Sequence, residues 1–395
     1  MEQNNRKLIS IIAFLRKFIV IFFSLFFNIY ILKIVDNDLN FILKYTIYSV
    51  ILVVVFEYII LKKINSKNVQ KIFIISFPLL TLCFVLLLVF KENIVKHIYL
   101  FKTLHTLSIV CYAAPQELII IGSSSDKNMS SFLANLNILE NLTAVIAPFL
   151  SGFIIDKLSY NIFFILLFVE TLIIIFISFK IKNFTINDKK MNVREYLDKV
   201  KNKEHLNSIY KCMFFRRISS QGAIVELLPI VLFLRLGTEL ELGSYNALFA
   251  IISIISLQIL KIVNNKNIRK TFYPYLAISI FVSSLILVFN ASFISLIIYY
   301  VLMYSFGMVI ESESCSYIYS SIKKDGFEKY KKEHIMVFNI YMAIGQIISY
   351  TLVYVLYNYF YNVNILSIAI SALMFFLIVS TIYLRKTQDY MERKM

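Results

Sequence analysis

Ionisable side chains stand inside long apolar runs of this chain, and they are the residues that could do chemistry there. A charged group at the centre of a lipid-facing helix costs about 2.5–3.5 kcal/mol, so each one is expected to face a cavity or a partner. We take nine of them as candidates for lining a proton or substrate cavity. They are Arg16, Lys102, His105, Glu117, Arg216, Arg217, Glu226, Glu311 and Glu313.

Glu226 is the leading candidate for a residue that responds to protons or cations. Branched apolar residues flank it on both sides, near the predicted centre of an apolar run and too deep for its carboxylate to reach the surface. Burial disfavours a charged carboxylate and a nearby cation favours it, so a group held between the two can change its protonation. We expect Lys102 and His105 to shape that balance. A static buried ion pair remains the alternative role for Glu226, and ordinary polar packing the alternative for His105.

The other candidates also allow two interpretations each. Arg16 and the adjacent Arg216 and Arg217 lie near predicted cytoplasmic ends of apolar runs. Their long side chains could line the cavity, or they could extend to the headgroup layer. Glu311 and Glu313 are two residues apart, which separates them by about 200° around a helix, so we expect only one of them to face the cavity.

The composition places these runs in a membrane. Of 395 residues, 59% are apolar and 16% are charged, and the mean hydropathy is +0.74. Soluble domains have about 45–50% apolar and about 25% charged residues. Several runs of about 18–25 apolar residues are long enough to cross about 30 Å of hydrocarbon as helices. The chain is therefore predicted to be an all-α membrane protein with many spans.

Several classes of chemistry are excluded because their sequence patterns are missing. The four cysteines stand singly in apolar runs, so we predict neither a disulfide framework nor a metal site. The sequence contains no nucleophile elbow, no phosphate-cradling glycine loop and no ATPase signature. We therefore expect no enzyme activity, no cofactor, and a gradient rather than nucleotide hydrolysis as the energy source.

The net charge of +16, from 40 basic and 24 acidic residues, could suggest nucleic-acid binding. Most of the basic residues, however, fall in loops on one predicted side of the membrane, which is the positive-inside bias of cytoplasmic loops. We therefore predict no nucleic-acid partner, a multi-pass location in the plasma membrane, and both termini in the cytoplasm.

Twelve membrane spans can be drawn, and they are numbered in chain order. Their approximate ranges are 10–32, 41–61, 72–90, 97–121, 131–155, 160–180, 212–235, 243–262, 271–290, 293–318, 334–359 and 363–384. Most connections between them are short. Glu170, in the middle of span 6, stands where lipid contact is expected, and the sequence offers no partner for it.

The segment between spans 6 and 7 is rich in Lys and Arg and divides the chain. The predicted domains are an N-terminal six-helix bundle at 1–180, a cytoplasmic basic linker at 181–210 and a C-terminal six-helix bundle at 211–395. Within the linker, Val193, Leu197 and Val200 recur at helical spacing, which predicts an amphipathic helix lying on the inner leaflet. A solvated tether held near anionic lipid is favoured over a regulatory role.

The two halves of the chain repeat each other. Three separate segments recur at offsets of 199, 200 and 202 residues. They are 60–71 with 259–270, 14–17 with 214–217, and Asn137 with Asn339. Six spans separate the copies, so the halves run in the same direction through the membrane and form a parallel repeat.

A parallel repeat of six and six spans with a basic central loop resembles the major facilitator superfamily, over essentially the whole chain. After span 2 that family has the motif G-x-x-x-D-(R/K)-x-G-(R/K). This chain keeps the basic residue Lys63 and has a turn former at Asn65. It departs from the motif at Tyr58, where the family has glycine, and at Lys62, where the family has aspartate.

Span 5 resembles the antiporter motif G-x-x-x-G-P-x-x-G-G of the same family. The corresponding residues are Thr143, Ala147, Pro148, Ser151 and Gly152. The proline and the last glycine are kept, and small residues replace the other glycines, which still allows helix backbones to approach closely. The resemblance implies two pseudo-symmetric six-helix bundles around a central cavity lined by spans 1, 4, 7 and 10.

The resemblance also implies a secondary active transporter that works by alternating access. The antiporter-like span 5 favours efflux of a small amphipathic or cationic molecule against protons, by a monomer in the lipid bilayer. An uptake symporter for a sugar, amino acid or peptide remains an alternative, since such motifs do not encode direction. A non-transporting immunity or scaffold protein is a second alternative, suggested by Lys62 at the position of the motif aspartate.

Overall fold

The computed structural model describes residues 2–123, 127–181, 190–262, 266–323, 327, 329–359 and 365–392. Within these residues the regular structure is entirely helical, as membrane-spanning segments of this length require, because a helix satisfies its own backbone hydrogen bonds in lipid. The α-helices are α1 (Glu2–Ile21), α2 (Phe27–Ile34), α3 (Leu39–Lys63), α4 (Val69–Phe90), α5 (Ile98–Ser123), α6 (Lys127–Lys157), α7 (Tyr160–Ser178), α8 (Val193–Val200), α9 (Glu204–Ile218), α10 (Ala223–Leu236), α11 (Glu239–Ile262), α12 (Lys266–Phe289), α13 (Phe293–Leu302), α14 (Met308–Lys323), α15 (Lys331–Tyr359) and α16 (Ile365–Glu392).

Short irregular helical turns join some of these helices within a single span. A π-helical turn, Phe22–Phe26, joins α1 to α2, and a second one, Met303–Gly307, joins α13 to α14. A 3₁₀ turn, Lys91–His97, connects α4 to α5. Spans 1 and 10 are therefore each a continuous helix that contains one π-helical turn.

The described residues contain eleven segments long and apolar enough to cross a membrane, and one of them holds two spans. That segment, Val69–Leu118, comprises α4 and α5. The Ser108 hydroxyl donates a hydrogen bond to the Ser76 carbonyl at 2.8 Å, and the rings of Phe73 and Tyr112 lie 5.2 Å apart. Phe73 precedes Ser76 on α4, whereas its contact Tyr112 follows Ser108 on α5. The two helices therefore run antiparallel and form a hairpin. The twelve predicted spans and the all-α membrane fold are confirmed.

Span 7 differs most from its prediction. It begins at Glu204, earlier than the predicted residue 212, and it consists of two helices, α9 and α10. The first turns of α9 contain His205, Asn207 and Ser208, and such polar residues lower the local hydropathy. They are helical because α9 packs on α15 and α16, which bury His205 and Ser208.

The linker helix predicted on Val193, Leu197 and Val200 is α8, but its inward face is different. Tyr196 and Val200 are buried, whereas Leu197 is 45% exposed. Tyr196, an aromatic residue with a hydroxyl, is thus the main anchor of α8 on unit 2, and the predicted position of α8 on the inner leaflet stays a prediction. Residues 182–189 of the predicted linker lie outside the described part of the chain.

The chain forms two compact units, which are described separately. Unit 1 comprises Met1–Met191 and Leu236–Ala247, and unit 2 comprises Asn192–Arg235 and Leu248–Met395. The first part of α11 thus belongs to unit 1 and the remainder to unit 2. The predicted ranges 1–180, 181–210 and 211–395 place the whole of α11 in one domain. The two six-helix bundles stay a prediction.

Corresponding helices are packed in the same way inside each unit. In unit 1 the Thr81 hydroxyl on α4 donates to the Thr171 hydroxyl on α7 at 3.0 Å. In unit 2 the Ser284 hydroxyl on α12 donates to the Ser371 hydroxyl on α16 at 3.3 Å. The two contacts are about 200 residues apart in the chain. Residues 263–265 of the repeated segment 259–270 lie outside the described part.

Candidate functional site

Span 7 is interrupted between α9 and α10, at residues 219–222, and Gly222 and Ser349 stabilise this interruption. A Cβ at Gly222 would lie 2.2 Å from the Arg217 carbonyl oxygen and 2.5 Å from the Ser349 hydroxyl oxygen, so no larger residue fits there without a shift. The Ser349 hydroxyl accepts a hydrogen bond from the backbone N–H of Ala223 at 2.9 Å. This bond satisfies one of the free N–H groups at the start of α10, which water cannot reach inside a membrane.

Arg216, Gln221 and Glu311 form a polar cluster at this interruption, hereafter the span 7 cluster. The Arg216 side chain is 1% exposed, and its Nη2 lies 3.1 Å from Oε1 of Glu311. Its Nη1 donates to the Glu311 carbonyl at 3.4 Å, and Nε2 of Gln221 donates to Oε1 of Glu311 at 2.5 Å. The cluster therefore ties α9 and the turn that follows it to α14.

The position of Arg216 bears on its two interpretations. Because α9 starts at Glu204, Arg216 lies about 18 Å along the helix from its first residue. Its guanidinium group ends on Glu311 within unit 2. This contact favours cavity lining over extension to the headgroup layer, and the cavity-lining role of Arg216 stays a prediction.

Arg217 has a different environment. Its Nη1 donates to the Gln221 carbonyl at 3.2 Å, and its Nε lies 3.3 Å from Sδ of Met342 on α15. No carboxylate of the described residues lies within ion-pair distance of this guanidinium group. Of these two adjacent arginines, Arg216 is therefore the one that forms an ion pair with Glu311 in the described structure.

Glu226 stands in the first turn of α10, just after the interruption. It is half-buried and interacts electrostatically with Tyr350 on α15. Its neighbours Ile224, Leu227 and Leu228 are buried. Arg216 pairs with Glu311, and a static ion pair of Glu226 with another cation stays the alternative to a proton-responsive role.

Unit 1 contains the corresponding cations of span 1. The guanidinium carbon of Arg16 lies 3.7 Å from the ring centre of Tyr112 on α5, a cation–π contact. Nζ of Lys17 lies 3.8 Å from Oε2 of Glu140 on α6. Span 1 is therefore connected to α5 and α6 through its two adjacent cations.

Lys102 and His105 on α5 lie among aromatic rings of unit 1. Nζ of Lys102 lies 4.6 Å from the ring centres of both Phe27 and Tyr45, and the side chain is buried. The His105 ring lies 3.9 Å from the Phe23 ring and is also buried. Lys102 is thus packed against spans 1 and 2 of its own unit, and His105 against span 1.

The remaining carboxylate candidates are Glu117 on α5 and Glu313 on α14, and both are half-buried. Glu170, on α7, is half-buried as well. Among the described residues it has no hydrogen-bond or ion-pair partner, so the partner that the sequence fails to provide is not found in the described structure either.

The small residues of span 5 lie where two helix backbones almost touch. A Cβ at Gly152 would be 2.3 Å from the Glu239 carbonyl oxygen, and a Cβ at Gly243 would be 2.3 Å from the Pro148 carbonyl oxygen. Both residues are in unit 1, on α6 and on the first part of α11. Around them, Ala147 and Ser151 are buried and Thr143 bonds to the carbonyl of its own helix. The antiporter-like stretch therefore packs against a second small-residue site, Gly243.

An acidic residue that the sequence analysis missed stands beside this crossing. Glu239 is buried at the start of α11, where it forms an ion pair with Lys33 and accepts a hydrogen bond from the Tyr160 hydroxyl at 2.9 Å. All three residues belong to unit 1. They stand at the ends of spans, where charges are common, so hydropathy alone gives no signal for them.

No protein-family model and no curated protein matches this chain. A crystal structure of a bacterial homologue of the iron transporter ferroportin, in an inward-facing state, matches 98% of this chain and 99% of its own. The TM-score is 0.65 at 14% sequence identity. The chain has the major facilitator fold. At this identity the likeness extends to the fold and no further.

Within the major facilitator fold, the site contacts of the two units correspond. Arg16 contacts Tyr112 and Arg216 contacts Glu311, and both members of the second pair follow those of the first by about 200 residues. Lys17 with Glu140 and Arg217 with Met342 are related in the same way. Glu311 follows Tyr112 by the repeat offset of 199 residues, so the sequence alone relates these two positions. Gln221 and Ser349 have no such signal, because their roles arise from the interruption of span 7.

The loop after span 2 keeps its turn without the glycine and aspartate of the family motif. Lys62 and Lys63 end α3, and the Asn65 side chain accepts hydrogen bonds from the backbone N–H groups of Lys67 at 2.9 Å and Asn68 at 3.1 Å. The Asn68 side chain in turn accepts one from the backbone of Asn65 at 2.8 Å. Two asparagines therefore close the turn by side-chain bonds to the backbone.

Proposed function

We propose that this chain is a secondary active transporter that moves a small molecule across the membrane by alternating access. The observation that carries the proposal is the span 7 cluster of Arg216, Gln221 and Glu311, at an interrupted helix of the major facilitator fold. In transporters, interrupted helices near the bilayer midplane form substrate and coupling-ion sites. A buried ion pair is a weak source of stability, so a role in binding is the better reason for its presence.

We propose that the cargo is a small amphipathic or cationic molecule and that it leaves the cell in exchange for protons. Glu226 and Glu311 could pair with a cationic group, and the close helix crossing at Gly152 supports the antiporter resemblance. The solved neighbour is named for iron transport, but the described residues of this chain bring together no group of three His, Cys, Asp or Glu side chains that could hold a metal ion. An organic cation is therefore the preferred cargo.

The test uses inverted membrane vesicles that contain the full chain, with the amphipathic cation ethidium as the probe. An exporter coupled to protons accumulates ethidium when the vesicle interior is acidified, and loses that accumulation when the gradient is collapsed. An uptake symporter does not accumulate the probe under this gradient. A scaffold protein shows no difference from vesicles without the chain, and that result would overturn the proposal.

Glu226 is the proposed proton-responsive residue. Glu226→Gln keeps the shape of the side chain and removes its charge. The variant is expected to fold and to bind ethidium, but to lose the dependence of transport on the pH gradient. Glu241→Gln, at an exposed carboxylate in the first turn of α11, is the matched control. Unchanged gradient dependence in Glu226→Gln would rule out this role, and a loss of folded protein would favour a structural role.

The proposed location is the plasma membrane, with a monomer whose termini and basic linker face the cytoplasm. The asymmetry of Lys and Arg among the loops supports this orientation. Reporter fusions after Asn192 and after Met395 are expected to be active only in the cytoplasm. Activity restricted to the outside would invert the topology.

A further inference from the structure

The linker helix α8 is fixed to unit 2 by a buried network of hydroxyl groups and one imidazole. Tyr196 is fully buried, and its hydroxyl lies 2.5 Å from the Tyr210 hydroxyl and 2.9 Å from Nδ1 of His334. The Tyr210 hydroxyl lies 2.7 Å from the same nitrogen. Three side chains from α8, α9 and α15 therefore meet at one point.

Further contacts fix the rotation of α8 about its own axis. The backbone N–H of Asn192 donates to Oε1 of Glu333 at 2.7 Å, and the Asn192 side chain caps α8 by accepting from the backbone N–H of Glu195 at 3.1 Å. Glu195 accepts from the Tyr330 hydroxyl at 2.5 Å and from Lys199 at 2.7 Å. A helix of eight residues is not stable alone in water, so these contacts both form it and orient it.

The residues that hold α8 place it in the headgroup layer of the membrane. α15 is 29 residues long, whereas about 20 residues are enough to cross the hydrocarbon. Its first four residues, which include Glu333 and His334, are all charged or polar, so this is the end that extends beyond the hydrocarbon. Because α8 packs on that end of α15, it lies at the same depth.

The side of α8 that faces away from unit 2 carries two cations around one apolar residue. Arg194 and Lys201 are exposed, and Leu197 lies between them, three and four residues away, on the same side of the helix. We call these three residues the basic stripe. Neither cation forms an ion pair with a described residue, although the exposed Asp198 lies at the edge of the stripe.

We propose that the basic stripe binds the headgroups of anionic phospholipids. Arg194 and Lys201 would contact the lipid phosphates, and Leu197 would enter the boundary between headgroups and acyl chains, as apolar residues of interfacial helices do. The occupant follows from charge complementarity and depth, since a membrane-spanning chain always has lipid beside the end of α15. This inference does not depend on the transport proposal.

The test measures how strongly the full chain prefers anionic lipid. The chain is reconstituted in phosphatidylcholine vesicles, and spin-labelled phosphatidylglycerol or spin-labelled phosphatidylcholine is added. Electron paramagnetic resonance then gives the ratio of the two association constants. R194Q/K201Q is expected to lower the preference for phosphatidylglycerol by about threefold. The control K67Q/K71Q removes the same charge from exposed lysines of unit 1 and is expected to leave the preference unchanged. Equal losses in both double variants, or no loss in either, would overturn the proposal.

A second pair of variants separates the docked geometry from charge alone. Tyr196→Ala keeps every cation but removes the anchor of α8, and it is expected to reduce the preference as much as R194Q/K201Q does. Tyr196→Phe keeps the ring in place and is expected to retain the preference. Full retention in Tyr196→Ala would show that docking does not present the stripe. Competition by inorganic phosphate at constant ionic strength would show that a soluble phosphate, and not lipid, is the ligand, which would also overturn the proposal.

Discussion

The two units place a pair of adjacent cations at the same position of the repeat but give them different partners. In unit 1, Arg16 stacks on Tyr112 while Lys17 faces Glu140. In unit 2, Arg216 pairs with Glu311, and Arg217 contacts the Met342 thioether and the Gln221 carbonyl. The acidic residue thus pairs with the second of the two cations in unit 1 and with the first of the two in unit 2.

This exchange changes the physical setting of the ion pair. The Lys17 and Glu140 side chains are 32% and 39% exposed, so water screens their attraction. The Arg216 side chain is 1% exposed, so its charge depends on Glu311. The Glu311 side chain is 36% exposed, so unit 2 joins a buried cation to a half-exposed carboxylate, whereas both members of the unit 1 pair are about a third exposed.

The largest expected effect comes from removing the acidic partner in unit 2. Glu311→Leu leaves the buried Arg216 charge without compensation, and is expected to lower the free energy of unfolding by about 3 kcal/mol. Denaturant unfolding of the purified chain in one detergent measures the difference. Glu311→Gln still accepts hydrogen bonds from Arg216 and Gln221 and is expected to lose clearly less. Equal stability of Glu311→Leu and the unmodified chain would show that the cluster is not buried as described.

The crossing of spans 7 and 11 offers the next test of the comparison. A Cβ at Gly345 would lie 2.5 Å from the Phe214 carbonyl oxygen on α9, whereas the corresponding position of unit 1 holds the larger Thr143. Gly345→Ala is expected to destabilise the chain by about 2 kcal/mol, because a backbone atom cannot move aside easily. In the control Gly307→Ala the new Cβ would meet only the flexible Met303 side chain at 3.3 Å. A smaller loss in Gly345→Ala than in the control would contradict the close crossing.

A smaller effect is expected from restoring the unit 1 arrangement in unit 2. Met342 occupies the position that corresponds to Glu140, and its sulfur lies 3.3 Å from Nε of Arg217. Met342→Glu gives Arg217 an acidic partner and is expected to be more stable than Met342→Gln by about 1 kcal/mol. The pair of variants differs in charge but hardly in shape. A less stable glutamate variant would indicate that the cation is already neutralised by another group.

Sequence patterns predicted the spans well, and the contacts of the site much less. Runs of apolar residues must be helical in lipid, so hydropathy located all twelve spans, and a constant offset related Arg16 to Arg216 before any contact was known. The interruption of span 7 was not predicted, because Gly222 and Ser349 act on it from different helices. The anchor of α8 was missed for a similar reason, since Tyr196 is buried through hydroxyl contacts with Tyr210 and not through an apolar stripe.

The smallest expected effect belongs to the hydrated pair of unit 1. Lys17→Gln removes the partner of Glu140, but at 3.8 Å and with both side chains about a third exposed the pair contributes at most about 1 kcal/mol. Its contribution should shrink further when the salt concentration is raised, because exposed charges are screened within about 10 Å at 0.1 M. The unfolding free energies of Lys17→Gln and Glu311→Leu, measured at low and at high salt, therefore test the whole comparison. Salt should erase the first difference and leave most of the second, whereas equal sensitivity of both would mean that the two pairs share one environment.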